Sequence, residues 1–257
     1  MNQSKKRRKL TRIMRLHYLK LFLRSMLFLG ALSLYMTNRL LNLDGIFCGV
    51  ENMPVILSVI WLFFVVDMLL RFFPSRLESM GCQKQFSCNY KPTGKTIGDD
   101  HRFTPIKAVI VSWLLLNGAI GAAYLTGWID QGILLLISMA YAVCDMICIL
   151  FFCPFQTWMM RNRCCTTCRI YNWDYAMMFT PFLLIPRFYT WSLLGLALML
   201  LIRWEIALKR HPERFAEKTN CSLSCANCEE KLCQHKKQLR QFIRKNAARL
   251  VREIEGK

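Results

Sequence analysis

The densest group of metal-ligating residues in the chain is a run that reads CSLSCANCEEKLCQH. It holds Cys221, Cys225, Cys228 and Cys233 within thirteen residues. Four thiolates suit a soft or borderline cation, either Zn(II) or the iron of an iron–sulfur cluster. Zinc knuckles are usually separated by a longer loop, whereas bacterial iron–sulfur runs are similarly compact, although the spacing here matches them only in part. The run therefore predicts a metal centre, an iron–sulfur cluster or zinc.

A second group of thiols reads CCTTC and comprises Cys164, Cys165 and Cys168. Cys165 and Cys168 have the C-x-x-C spacing of a redox dithiol. If both groups lie at the same face of the protein, these cysteines instead join the tail cysteines around one metal. The sequence leaves both interpretations open.

The compartment of these thiols depends on the fold class, which the composition indicates. The 257 residues are 54% hydrophobic and carry a formal charge of +19. Apolar and basic blocks alternate along the chain, and this segregation is typical of helical membrane proteins, because each crossing needs about 20 apolar residues. Nucleic-acid binding is disfavoured, since the basic residues lie at the ends of apolar runs.

We predict an all-α integral membrane bundle with four transmembrane helices and a fifth, interrupted apolar segment. The four spans lie near residues 19–37, 53–73, 106–125 and 132–155. The fifth segment, residues 175–202, contains Pro181, Pro186 and Arg187. Two full crossings need roughly 40 residues, so this segment is predicted to be one kinked span or a re-entrant hairpin.

Lys and Arg residues in the connecting segments predict the orientation. Residues 1–18 form a basic segment that we place in the cytoplasm, and spans one to four then put every basic loop inside an inner (plasma) membrane. The basic tail, residues 203–257, is cytoplasmic if residues 175–202 do not cross. Both cysteine groups are then in a reducing compartment, which disfavours structural disulfides and favours a metal.

The end of the tail, after Cys233, alternates apolar residues with Lys and Arg at helical spacing. This pattern predicts a basic amphipathic helix. Anionic lipid at the cytoplasmic face is one partner for such a helix, and the protein's own cytoplasmic face is the other.

One carboxylate, Asp145, lies near the middle of the predicted fourth span. A carboxylate at that depth is costly, and it marks a candidate intramembrane ion or proton site. The alternative is a buried carboxyl that is hydrogen bonded to a neighbouring helix, for example to Asn117.

Three functional hypotheses follow from these features. The first is a membrane protein with a cytosolic cysteine-ligated metal centre for electron transfer or redox sensing, with a redox partner that the sequence does not identify. The second is a structural-zinc module that recruits a protein partner. The third is a small transporter that uses Asp145. No catalytic constellation or nucleotide-binding motif is visible, so the sequence leaves open whether the protein is an enzyme.

Overall fold

The computed structural model describes residues 11–41, 46–47, 49, 53–95, 106–162, 164–228, 230–239 and 241. Within these ranges the protein is mostly helical and contains no strand. The helices, in chain order, are α1 (Arg12–Leu41), α2 (Pro54–Leu69), α3 (Met80–Gln83), α4 (Lys107–Leu125), α5 (Gln131–Leu150), α6 (Asp174–Met178), α7 (Phe188–Arg210) and α8 (residues 232–239).

Four helices, α1, α4, α5 and α7, are long and apolar enough to cross a membrane by length and composition. The predicted all-α fold with four candidate spans is confirmed at that level. Three of the four, α1, α4 and α5, coincide with predicted spans, and the fourth, α7, lies in the predicted interrupted segment. Over the predicted second span the helix α2 has only 16 residues, which is short for a crossing. The chain turns there so that Arg71 reaches Asp174 at 2.7 Å.

The predicted fifth segment contains a break and then a long helix. The short helix α6 is followed by a 3-10 turn, Thr180–Leu184, and the helix α7 begins after Pro186 and Arg187. Proline has no backbone N–H and fits only the first turn of a helix, which explains why no regular helix forms here. The helix α7 extends past the predicted boundary at residue 202, to Arg210.

Contacts between helices define two ends of the bundle. Helices α2 and α7 run in the same direction, because Ser58 contacts Tyr189 at 3.1 Å and Arg203 donates to the Phe72 carbonyl at 2.6 Å. The broken segment therefore leads the chain from one end of the bundle to the other, and α7 leads it back. The tail after α7 therefore begins at the end of the bundle that also contains the start of α1.

We call the two ends the cysteine-rich end and the opposite end. The cysteine-rich end contains the start of α1 and the tail, since the Tyr18 hydroxyl lies 2.7 Å from His235 Nε2. The opposite end contains the loop before α5, where the Tyr35 hydroxyl donates to Asp130 at 3.0 Å. Asp130 also caps α5 by accepting from the Ile133 amide at 2.9 Å, as N-cap carboxylates commonly do.

The close packing of α1 against α5 depends on a glycine. A Cβ atom at Gly132 would lie 2.7 Å from the Tyr35 ring, so a larger residue there would separate the two helices. At the cysteine-rich end the core surrounds Trp204, which is completely buried and donates to the Arg169 carbonyl at 2.8 Å. These contacts fix the ends of α5 and α7, from which the chain continues into the CCTTC loop and the tail.

Candidate functional site

The cysteine-rich end brings together three chain segments that are far apart in sequence: residues 75–91, the CCTTC loop and the tail. Residues 1–10 and 242–257 lie outside the described residues, so most of the predicted basic segment and amphipathic helix cannot be compared. The described part of that tail, α8, is helical and packs on the protein itself through His235 and Lys236.

Lys84 fixes the CCTTC loop from inside the protein. Its ammonium group is completely buried and donates to the carbonyls of Thr166 and Cys168, both at 2.8 Å. It also lies 5.2 Å from the centre of the Trp204 ring and 5.5 Å from that of Phe215. Burial lowers the pKa of Lys84 to about 8. The lysine satisfies two loop carbonyls and so fixes the backbone that presents Cys164.

The tail is anchored by Glu230 and Lys236. The buried Glu230 carboxylate accepts from the Ser79 hydroxyl at 2.7 Å and from the Met80 amide, and burial raises its pKa. Lys236 donates to the Cys148 carbonyl at 2.8 Å and to the Cys165 sulfur at 3.1 Å. These contacts place the first turn of α8 against the CCTTC loop.

The two predicted cysteine groups contact each other through Cys164 and Cys233. Their side chains share a hydrogen bond, and Thr166 lies 2.9 Å from the Cys164 sulfur. The hydrogen bond from Cys233, and further ones from the Thr166 hydroxyl and the Thr166 and Thr167 amides, lower the pKa of Cys164 although its burial opposes this. The pKa of Cys233 is raised, because its proton is held on the Cys164 sulfur. Cys164 is only partly buried and Cys233 is exposed.

The remaining tail cysteines are not gathered around one point. The Cys221 sulfur accepts from the Asn227 side chain at 3.0 Å, the Cys228 sulfur accepts a backbone amide at 3.4 Å, and Cys225 is exposed. In the part of the chain that the structure describes, no group of three or more histidine, cysteine or acidic side chains could hold a metal ion. The iron–sulfur or zinc centre stays a prediction, and this arrangement of thiols does not fit it.

Cys165 and Cys168 are buried and face a cavity of about 130 Å³ inside the bundle. The Cys165 thiol donates to Gln156 at 3.2 Å, and burial raises the pKa of both, that of Cys168 to about 12. Of the three cysteines of CCTTC, the one with a lowered pKa is therefore Cys164, outside the C-x-x-C spacing. The same cavity is lined by Cys148 and Cys153, which share a hydrogen bond.

Asp145 also lines this cavity, and its partner is a cation on α1. Arg24 donates to Asp145 at 2.9 Å and lies 3.2 Å from Asp67, which in turn pairs with Lys20 at 2.6 Å. The predicted alternative partner, Asn117, donates instead to a carbonyl of its own helix. Asp145 is thus part of a buried ion-pair cluster, and its role as an ion or proton site stays a prediction.

Several residues of this site were missed by the sequence reasoning. Lys84 and Glu230 are isolated charged residues in polar segments, and nothing in their spacing indicates burial. Arg24 lies within an apolar run of α1, and nothing in the sequence indicates that it is buried between two carboxylates. Cys148 and Cys153 lie five residues apart across the end of α5, and only the turn after Leu150 brings their sulfurs together.

Searches of protein-family models, curated proteins and solved structures found no match to this chain.

Proposed function

We propose that the chain is an integral membrane protein in which α1, α4, α5 and α7 cross the bilayer and the shorter apolar helix α2 returns the chain to the cysteine-rich end, with both described chain ends in the cytoplasm. Large apolar side chains such as Phe22, Leu115 and Ile202 are 57–70% exposed on these helices, which water would not favour. The described parts of the basic N-terminal segment and of the basic tail meet at the cysteine-rich end, where Tyr18 contacts His235. Basic residues on one side support a cytoplasmic assignment for that end.

At that end we propose redox sensing by thiol–disulfide exchange between Cys164 and Cys233. The contact between these two side chains is the observation that carries the proposal. It joins a loop that Lys84 fixes to a tail that is held by a few polar contacts. The thiolate is the nucleophile of disulfide exchange, and Cys164 is surrounded by donors that favour that form.

The exchange proceeds in two balanced steps. The Cys164 thiolate attacks one sulfur of a small-molecule disulfide, whose S–S bond breaks, so that one half leaves as a thiolate and the other stays bonded to Cys164. Cys233 no longer has a thiolate to donate to, which removes the main cause of its raised pKa. Its own thiolate then attacks the Cys164 sulfur and expels the second half. The protein pair loses two electrons, which the small disulfide gains.

The product disulfide links the first turn of α8 to the CCTTC loop covalently. In the reduced protein the same tail is held by the contacts of Glu230, His235 and Lys236. Oxidation therefore changes how firmly the basic tail is fixed to the membrane domain, and we propose this change as the signal. A basic tail that is more firmly fixed would bind an anionic lipid surface or a protein partner with a different affinity.

Trapping of the mixed disulfide tests this proposal. With oxidised glutathione, we expect Cys233→Ser to accumulate one glutathione on Cys164, because the serine hydroxyl still donates to the thiolate but cannot expel the adduct. In Cys164→Ser, glutathione should add to Cys233 much more slowly. Cys225 is the control for an exposed thiol outside the pair, and Cys225→Ser should leave the reaction of Cys164 unchanged. Equal rates of glutathione addition to Cys164 and to Cys225 in Cys233→Ser would refute the assignment.

Metal content of the same preparations separates this proposal from the predicted metal centre. Protein purified anaerobically should contain neither zinc nor iron with acid-labile sulfide at one equivalent per chain. A stoichiometric metal that is lost in Cys228→Ser would replace the redox proposal with a cysteine-ligated centre. Zinc would then indicate a structural interaction module, and iron with sulfide an electron-transfer centre.

A further inference from the structure

A second cavity lies toward the opposite end of the bundle, away from Cys164 and Cys233. It has a volume of about 330 Å³ and is enclosed by α1, α2, α5, the 3-10 turn and α7. Its walls are almost entirely apolar, with Met26, Trp61 and Phe182 among them. An engineered apolar cavity of ~150 Å³ holds one benzene molecule, so this cavity has room for a segment of an aliphatic chain.

Two of the polar residues that interrupt the apolar lining are Ser138 and Arg187. The Ser138 side chain is 2% exposed, and its hydroxyl has no hydrogen-bond partner. A buried hydroxyl without a partner costs about 1–3 kcal/mol, and a serine in a helix ordinarily avoids this cost by bonding to its own backbone. Ser138 therefore has an unused hydrogen bond where it faces the cavity.

The second polar group is Arg187, which precedes α7 and lines the same cavity. Within the described residues, no carboxylate pairs with its guanidinium, in contrast to the buried Arg24 and Arg71. Gln131, at the start of α5, also lines the cavity. At about 1.5 Å per residue along a helix, Gln131 and Ser138 are separated by roughly 10 Å in depth.

We propose that this cavity binds a single-chain anionic amphiphile. The oxyanion of its head group pairs with Arg187, an oxygen acceptor of the molecule takes the hydrogen bond from Ser138, and the aliphatic chain fills the apolar volume. Fatty acids and lysophospholipids share this chemistry, as carboxylate and phosphate respectively. The site is independent of the thiol chemistry, since it lies at the other end of the bundle.

Gly30 offers a position from which a larger side chain can be added at the cavity wall. It lines the cavity, and a Cβ atom added to it would meet no atom within 4 Å. Gly118 on α4 has the same open surroundings and does not line the cavity. The pair Gly30→Phe and Gly118→Phe thus compares a blocked cavity with an equal addition of apolar surface elsewhere.

The experiment uses the full-length protein in nanodiscs with three photoreactive probes of equal chain length: a fatty acid, a lysophosphatidylglycerol and an uncharged monoacylglycerol. We expect saturable labelling of peptides around the cavity by one or both anionic probes. Labelling should fall at least about tenfold in Arg187→Gln, which removes one charge-assisted bond. It should fall by at least a similar factor in Gly30→Phe, whose side chain occupies the cavity, and stay unchanged in Gly118→Phe. The preferred anionic probe identifies carboxylate or phosphate as the head group.

Two results would overturn the proposal. One is labelling by the uncharged probe at the level of the anionic probes, which would show an apolar crevice that any bilayer lipid fills. The other is unchanged saturable labelling in Gly30→Phe. If Gly30→Phe does not yield folded protein, Ser138→Ala tests the proposal instead. Removal of the hydroxyl should weaken binding of an anionic probe several-fold. The thermal midpoint of the protein without probe should stay unchanged or rise, because the unpartnered buried hydroxyl is removed.

Discussion

The Thr166 hydroxyl is predicted to contribute directly to the reactivity of Cys164. It lies 2.9 Å from the Cys164 sulfur and is buried, so no water can replace it readily. A hydrogen bond to a charged group contributes about 1.5–3 kcal/mol, and 1.36 kcal/mol corresponds to one pKa unit. Replacement of Thr166 by valine, which has the same shape, should therefore raise the pKa of Cys164 by about 1–2 units.

The direction of the pH effect follows from the thiolate as nucleophile. Below the pKa of Cys164 the reaction rate rises with pH, and above it the rate is constant. In Thr166→Val the plateau should begin about 1–2 pH units higher, and the rate at a pH below both pKa values should fall about 10–100-fold. The measurement is the rate of iodoacetamide incorporation between pH 4 and 9, quantified on the tryptic peptide of residues 164–169.

Thr167→Val is the matched control for this substitution. The Thr167 hydroxyl donates to Asn162 and to the Cys164 carbonyl, both at 3.2 Å, and does not contact the sulfur. It should leave the pH profile of Cys164 in place even if it lowers the thermal midpoint. Identical profiles for the wild-type protein and Thr166→Val would refute the account of how this thiolate is stabilised.

Two further comparisons test the packing and the buried charges. Gly81→Ala should destabilise the protein by about 1–3 kcal/mol, because the new Cβ would lie 2.5 Å from a buried tyrosine ring. The control Gly118→Ala should be neutral or stabilising. Equal thermal midpoints for the two variants would contradict the packing around Gly81. Arg24→Met should cost about 3–5 kcal/mol and Asp145→Asn less, because Arg24 serves two carboxylates. Strict additivity in the double variant, measured by thermal unfolding in detergent, would show that the pair does not interact.

The sequence was sufficient for the helical fold class but not for the bounds of α2 and α7. Length and apolar content predict a helix wherever they are continuous, and they found α1, α4 and α5. They do not reveal that Arg71 turns out of α2 toward Asp174, because that partner is 103 residues away. The effect of Pro186 was also overestimated, because this proline ends the irregular segment before α7 and leaves the 23-residue helix α7 intact.

The candidate site could be predicted only in part for a similar reason. Residue type indicated that Cys164 and Cys233 carry chemistry, and the run of four tail cysteines suggested a shared metal. Spacing along the chain does not determine which sulfurs meet when the run is not one regular element. Here Cys221 and Cys228 bond locally to Asn227 and to a backbone amide, and the Cys233 side chain bonds to Cys164 of the CCTTC loop.

The central claim is that Cys164 and Cys233 are one redox unit, and a disulfide map across a redox titration tests it most directly. The full-length protein is equilibrated at a series of ratios of reduced to oxidised glutathione, alkylated and digested, and the peptides of residues 164–169 and 232–236 are analysed. The account predicts one link between them, assigned by fragmentation to Cys164, that forms with a single midpoint while Cys221 and Cys228 stay reduced. A map in which Cys164 stays reduced, or in which Cys233 pairs with Cys225 or Cys228, would contradict it.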